Sequence, residues 1–389
     1  MSHNLNLLVL FTYGLTLDKW DKIGILSREI SLYLKLIKKN MKISFLTYGS
    51  KEELKYLNKL EGISIKPCYD LIESKIKKIK LFNSLFLPIK LKKDLKSINI
   101  IKSNQLEGSW VSWLAKILYR KKLIIRGGFE WLKFHMLKRN TSNKGLGFRY
   151  WLIYFWRYFI EFISYKLADE IIITNPDDVN FIIEKFHLGK KRDRINLIYN
   201  FIDTNLFKPM SFKKKDKHVL FIGRFGYQKN LKNLLDAFAN LKEFTLDMIG
   251  DGILKQYLEK KSRDLGIKIN FLGKYPNEKI PEILNEYEIF ILPSHYEGSP
   301  KVLLEAMSCG LVCIGTNVWG IKNIITHKKN GLLCDKDSNS IANAIKIVYE
   351  NPILKKEIGE NARNFILTNC SLEKIVEQEY KIYGKLLGY

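Results

Sequence analysis

Short apolar runs alternate along most of the chain with stretches whose apolar residues recur at helical spacing. In the first half, Leu5–Thr12, Lys42–Thr47, Ile98–Lys102, Leu123–Arg126, Glu170–Thr174 and Arg194–Tyr199 read as strands, and Gly24–Asn40 as a helix. The second half repeats the scheme. His218–Ile222, Phe244–Ile249, Lys268–Leu272, Ile289–Leu292 and Leu311–Ile314 are its strand candidates, with helices over Leu231–Leu241, Leu254–Asp264 and Pro281–Tyr287. Continuous apolar runs separated by helices predict buried parallel strands in doubly wound α/β sheets. A chain of 389 residues exceeds one ordinary core. The polar, basic stretch Lys208–Lys217 breaks the periodicity and suggests a linker. The expected layout is a Rossmann-like domain over 1–200, a linker over 201–217 and a second Rossmann-like domain over 218–370. A helix over 371–389 is expected to cross back to the first domain.

Two segments of the second half carry candidate chemistry. After the strand Ile289–Leu292 comes Glu297-Gly298-Ser299-Pro300-Lys301, with Glu305 eight positions beyond Glu297. Ser299 suits an N-cap, Pro300 a first helical residue and Gly310 a helix stop. Glu297 then lies in the loop at a strand's carboxyl end, where open α/β sheets bind ligands. Glu305 lies about one and a half turns into the helix. The other segment, Phe221–Asn230, projects Arg224 and Lys229 from a glycine-containing loop that closes a strand and opens a helix. A diphosphate needs such a neighbourhood of backbone N–H groups, helix N-terminus and cationic side chains. A solvated basic turn is the plain alternative for this segment alone. Its company with Glu297 and Glu305 in one sheet favours the phosphate site.

This series resembles the retaining glycosyltransferases of family 4. The likeness runs through Asn200-Phe201-Ile202-Asp203, Gly223-Arg224, Lys229-Asn230, Gly250-Asp251-Gly252, Glu297-Gly298-Ser299-Pro300 and Glu305-Ala306. It implies the GT-B fold, two Rossmann-like domains facing across a cleft. It also implies transfer of a sugar from a nucleoside-diphosphate sugar to a glycan acceptor, with no cofactor and no metal. By this resemblance Arg224 and Lys229 neutralise the leaving diphosphate and Glu297 sits beside the transferred sugar. Gly298, Ser299, Pro300 and Lys301 line the sugar and phosphate, and Glu305 holds the ribose hydroxyls. Gly24, placed in the loop before the first helix, lets the N-terminal domain approach the phosphates, and Tyr275 lies near the base. The family's N-terminal-domain histidine is missing from Ile124–Trp131, which leaves Arg126 and Glu130 as candidates for donor hydroxyls or acceptor. A salt-bridged pair is the alternative for those two. His295 either contacts the sugar or shapes its loop, and His135 reads as a surface histidine. Phe201 stands where the family has a hinge glycine. An epimerase or phosphorylase on the same fold is the rival reading.

The charge changes the picture of the partners. The net +25 is uneven: residues 1–200 carry 37 Lys/Arg against 18 Asp/Glu, a net +19. Anionic membrane, nucleic acid or a phosphorylated acceptor would suit such a surface. No nucleic-acid-binding module is visible, so a specific nucleic-acid partner is not expected. The aromatic, basic stretch Phe148–Tyr165 approaches spanning length, but Arg149, Arg157 and Glu161 argue against spanning. It reads either as a helix packed on the sheet or as one lying on a membrane surface, the second strengthened by the lysines of Lys77–Lys96. The expected acceptor is a glycan or a polyprenyl-diphosphate-linked saccharide. Five cysteines without metal-ligand spacing read as buried free thiols. With no signal-peptide pattern, the expected location is cytoplasmic, peripheral on the inner face of the cell membrane.

Overall fold

The computed structural model describes residues 5–74, 76–128, 130–140 and 147–388. The chain divides into two compact units, Met1–Ile198 with Val376–Tyr389, and Tyr199–Ile375.

The first unit is built on seven strands: β1 (Leu5–Leu10), β2 (Met41–Thr47), β3 (Ile63–Pro67), β4 (Ile100–Ser103), β5 (Lys122–Arg126), β6 (Glu170–Ile173) and β7 (Ile195–Leu197). They lie in the order β3-β2-β1-β4-β5-β6-β7, and every neighbouring pair is parallel. Burial explains the apolar runs: every residue of β4 and β6 is buried, as parallel strands covered by helices on both faces require. The short edge strand β3 escaped the pattern because Ile63 and Ile65 alternate with polar Ser64 and Lys66.

The predicted helix over Gly24–Asn40 is two helices, Leu17–Lys22 and Leu26–Ile37. Thr16 starts the first by accepting from the Lys19 N–H at 3.0 Å. Gly24, at φ +71°, lies in the turn between the two rather than before the first. The last helix, Leu372–Leu387, belongs to this unit from Val376 onward. Inside it, the buried Lys102 of β4 pairs with Glu379 at 2.5 Å, and Tyr383 joins both groups. An isolated buried charge would be costly, so this pair ties the helix to the sheet.

The second unit has six strands: β8 (His218–Ile222), β9 (Thr245–Ile249), β10 (Ile269–Gly273), β11 (Ile289–Leu292), β12 (Val312–Thr316) and β13 (Leu332–Cys334). Their order is β10-β9-β8-β11-β12-β13, again all parallel, so the first six strands of each unit follow one scheme. The three-residue β13 was too short to read from periodicity. Residues 201–217, expected as a linker, group with this unit. Ile202 and Phe207 enter its core, the Met210 N–H donates to Asn285 Oδ1 at 2.7 Å, and Lys214 donates to the Asn285 and Tyr287 carbonyls. All five cysteines are buried and free.

Candidate active site

In the second unit the strand order reverses between β8 and β11, which lie side by side. Loops leaving two such strands diverge and open a crevice, the usual ligand site of a doubly wound sheet. Both candidate segments leave these two strands. Gly223–Asn230 follows β8, and residues 293–300 follow β11.

The first loop is shaped by close backbone contacts. A Cβ at Gly250 would overlap the Gly223 carbonyl oxygen, and one at Gly252 would overlap Phe225 O. Only glycines let the β9 loop support the β8 loop this closely. The Phe225 N–H donates to Asp251 O at 2.9 Å, which fixes the chain where Arg224 turns outward. Arg224 is exposed, and its guanidinium has no ion pair or hydrogen bond among the described residues. Lys229 turns inward and meets Glu297 Oε1 at 2.6 Å. Arg224 is therefore the cation of this loop left open to an anion.

Glu297 is a hub. Its Oε1 also accepts from Ser294 Oγ at 2.5 Å, and its Oε2 lies 3.4 Å from Gln228 Nε2. Gln228 further joins the two loops through its Nε2 to Tyr296 O at 2.9 Å and its carbonyl to the His295 N–H at 2.8 Å. The Glu297 N–H donates to Trp319 O at 3.1 Å, and a Cβ on Gly320 would overlap the Glu297 and Gly298 carbonyl oxygens. Burial and then the nearby Lys336 lower the His295 pKa, which favours the neutral imidazole. A neutral ring both donates and accepts, which suits a sugar hydroxyl.

The helix after this loop is Lys301–Ser308, with Pro300 rather than Ser299 at its cap position. Ser299 instead offers its carbonyl to Asn200 Nδ2 at 2.8 Å, and its hydroxyl is buried without a partner among the described residues. The helix ends as expected, with Gly310 at φ +79° and the Leu311 N–H returning to Ala306 O at 3.2 Å. Glu305 is buried on this helix and accepts from Asn277 Nδ2 at 3.4 Å. Lys301 extends its amine over the Phe201 ring, 4.9 Å from the centroid, so the residue replacing the hinge glycine is covered by a cation. Tyr275 is exposed just beyond β10, and its neighbour Lys274 pairs with Asp251 at 3.0 Å.

Sequence reasoning missed Gln228, Ser294 and Asn277. Their signal was only nearness in sequence to Lys229, Glu297 and Tyr275, because their roles arise from side chains that meet across loops.

The N-terminal candidates separate from one another. Arg126 ends β5 and is partly exposed. Glu130 is fully buried, accepts a hydrogen bond from Tyr165 at 2.6 Å, and has its pKa pushed up by burial and by Glu161. Its carboxyl lies inside the unit, where burial favours the protonated form, rather than on a face open to an acceptor. His135 is partly buried and stacked on Tyr150 at 4.3 Å, not a plain surface histidine.

With this geometry in place, residues 203–365 match the family described as glycosyl transferases group 1. The matched segment covers less than half of the chain. It contains Arg224, Lys229, Glu297 and Glu305. The chain is 32% identical over 223 residues to the N-acetyl-alpha-D-glucosaminyl L-malate synthase of Bacillus anthracis, covering 54% of this chain and 58% of that protein. It is 32% identical over 219 residues to the GalNAc-alpha-(1->4)-GalNAc-alpha-(1->3)-diNAcBac-PP-undecaprenol alpha-1,4-N-acetyl-D-galactosaminyltransferase of Campylobacter jejuni, covering 54% and 58%. The chain thus spans less than two thirds of these relatives' lengths. The Anabaena HepE structure in complex with UDP superposes with a TM-score of 0.72 at 17% identity, over 98% of this chain and all of that one. Both units are Rossmann-like sheets of parallel strands, and the chain matches solved structures of the GT-B fold.

Proposed function

We propose that the chain is a retaining, metal-independent glycosyltransferase that moves a sugar from a nucleoside-diphosphate sugar to a glycan acceptor. Synthesis of a cell-surface polysaccharide or a lipid-linked oligosaccharide is the setting. The observation that carries this reading is the joined pair of loops after β8 and β11, with Arg224 exposed and Lys229 bound to Glu297. As the bond from the sugar C1 to the diphosphate oxygen breaks, negative charge grows on the leaving group and positive charge on the sugar ring. Arg224 stabilises the first, and the Glu297 carboxylate the second, with Lys229 and Ser294 fixing its orientation. The acceptor oxygen bonds to C1 on the face the diphosphate leaves, and its proton passes to the departing phosphate oxygen. Glu305 and Tyr275 hold the nucleoside, and Gly24 and Arg126 are the contributions expected from the first unit.

The undecaprenol-linked substrate in the Campylobacter relative's name supports a polyprenyl-diphosphate-linked acceptor. Such an acceptor requires access to a membrane surface. Among the described residues no helix is long and apolar enough to cross a membrane. The helix Phe148–Leu167 nonetheless exposes Phe148, Trp151, Leu152, Phe155, Trp156 and Phe159. Beside the +19 charge of residues 1–200, that face suits an anionic bilayer, as a peripheral contact on the inner face of the cell membrane.

The test is a thermal-shift screen with nucleoside diphosphates and their sugars, followed by product analysis. The reading expects a raised Tm with one nucleoside diphosphate, since a ligand that binds only the folded state stabilises it. It also expects the sugar on an acceptor with its anomeric configuration kept. An altered free sugar nucleotide formed without acceptor would instead identify an epimerase. Failure to sediment with anionic vesicles at low salt would remove the membrane contact.

A further inference from the structure

The first unit contains a cavity of about 1040 Å³ at the carboxyl ends of β1, β2 and β3. Three phenol side chains leave three adjacent strands to line it: Tyr13 after β1, Tyr48 after β2 and Tyr69 after β3. Tyr13 and Tyr48 meet edge to face at 5.1 Å. Tyr48 is buried, and its hydroxyl has no hydrogen-bond partner among the described residues. Aromatic walls with a few polar groups are what a saccharide pocket offers, and the volume exceeds the need of a monosaccharide.

The charges of the cavity divide into balanced and unbalanced ones. Lys22 and Lys55 pair with Asp18 at 2.6 and 3.3 Å. Glu53 accepts from the Leu17 N–H and Thr47 Oγ1, so its carboxyl is held by the framework. Lys19 donates to Gly14 O at 2.5 Å, and Lys80 lies 3.8 Å from the Tyr69 ring centroid. Neither amine has a carboxylate within ion-pair distance among the described residues. Burial lowers the Lys80 pKa, opposed by Cys68 and Glu73, with a smaller lowering from Lys19. Two lining amines without a carboxylate partner beside an aromatic wall gain a counter-charge when an anion binds.

We infer that this cavity is the acceptor subsite and that it takes a saccharide bearing an anionic group, with the pyranose against the tyrosines and the anion between Lys19 and Lys80. The inference rests on the transferase reading above and adds the chemical class of its acceptor. Two sources could supply the anion, the diphosphate of a polyprenyl linkage or the carboxylate of a charged sugar.

The test is calorimetric titration of the full chain with three probes: citronellyl-diphosphate-linked N-acetylglucosamine, methyl glucuronide and neutral octyl glucoside. At least one anionic probe is expected to bind, more tightly than octyl glucoside. Lys19→Ala and Lys80→Ala should each weaken it by about tenfold, the size of one lost charge-assisted hydrogen bond. Lys80→Arg should retain most of the affinity, which separates charge from shape. Preference for the diphosphate probe assigns the anion to the lipid linkage, and preference for the glucuronide assigns it to the sugar. The inference is overturned if neither anionic probe binds, if octyl glucoside binds equally well, or if the Lys19→Ala/Lys80→Ala protein binds with unchanged affinity. Nucleoside-diphosphate binding on the same preparations reports on the other unit. Its absence would sink the transferase reading, whereas its presence with lysine-independent acceptor binding would sink only this inference.

Discussion

The two units use one strand order but treat the carboxyl ends of their sheets differently. In the second unit, the loop after β8 is backed by the β9 loop through close backbone contacts at Gly250 and Gly252, and the loop after β11 is backed by the β12 loop at Gly320. Charged groups then meet across those loops, with Lys229 on Glu297. In the first unit the acids beyond β5 withdraw into the interior, where Glu130, Glu161 and Asp178 lie buried with Lys133. Its open polar groups gather instead beyond β1, β2 and β3. The shared topology supplies a platform. One unit builds on it with backbone geometry, the other with side chains alone.

Two buried or nearly buried ion pairs, one taken from each unit, should respond differently. Lys102–Glu379 is 0% and 2% exposed, whereas Lys229–Glu297 is 15% and 8% exposed. Glu379→Ala strands the Lys102 amine, whose pKa burial already lowers, and should cost about 3–5 kcal/mol in urea unfolding. Lys102→Met with Glu379→Leu should recover much of that loss, because no charge remains to be paired. In the second unit the larger effect falls on activity. Arg224→Ala and Glu297→Gln should each lower kcat by about 10²–10³ with the far-UV spectrum and urea midpoint kept. Near-normal turnover in both variants would remove the site from these loops.

Gly320→Ala sits between these extremes. Its φ of +81° and the overlap with the Glu297 and Gly298 carbonyls should cost about 1–3 kcal/mol. Turnover should fall as well, since the displaced loop carries Glu297. The same substitution at Gly226, where a Cβ meets nothing within 4 Å, should leave stability nearly unchanged. Equal melting temperatures for the two variants would show that the close approach at Gly320 is not needed.

The contrast also explains what was legible in the sequence. Fully buried parallel strands such as β6 and β11 announce themselves as unbroken apolar runs. The loops after β8 and β9 were legible because a close backbone approach excludes every residue but glycine, as at Gly250-Asp251-Gly252. Glu130 was misread because a carboxylate in a strand-end loop looks the same whether it faces water or Tyr165. Gly24 was misplaced because nothing in Leu17–Lys22 distinguished one turn-and-a-half of helix from loop. The cavity lysines Lys19 and Lys80 lie 61 positions apart in a chain rich in lysine, so only the fold could bring them together.

The buried acids of the first unit give the most specific prediction, a pH dependence that the second unit's site does not require. Burial raises the Glu161 pKa from 4.5 to about 8, partly opposed by the Leu132 N–H at 2.8 Å and by Arg157. Nearby Asp178 and Glu130 are shifted upward as well. In the folded protein Glu161 therefore keeps its proton over a range in which the unfolded chain has released it. Its contribution is fully present below the unfolded value of 4.5 and is lost as pH rises to about 8. Each such proton gives a slope of about 1.4 kcal/mol per pH unit, so the Tm should fall across this window. Glu161→Gln keeps a neutral side chain of similar shape and should flatten the fall. Asp178 pairs with Lys133, so its titration is opposed by a cation and should contribute less. A Tm profile of Glu161→Gln that runs parallel to that of the unaltered protein would mean that Glu161 is ionised in the fold, with Arg157 rather than a proton balancing its charge.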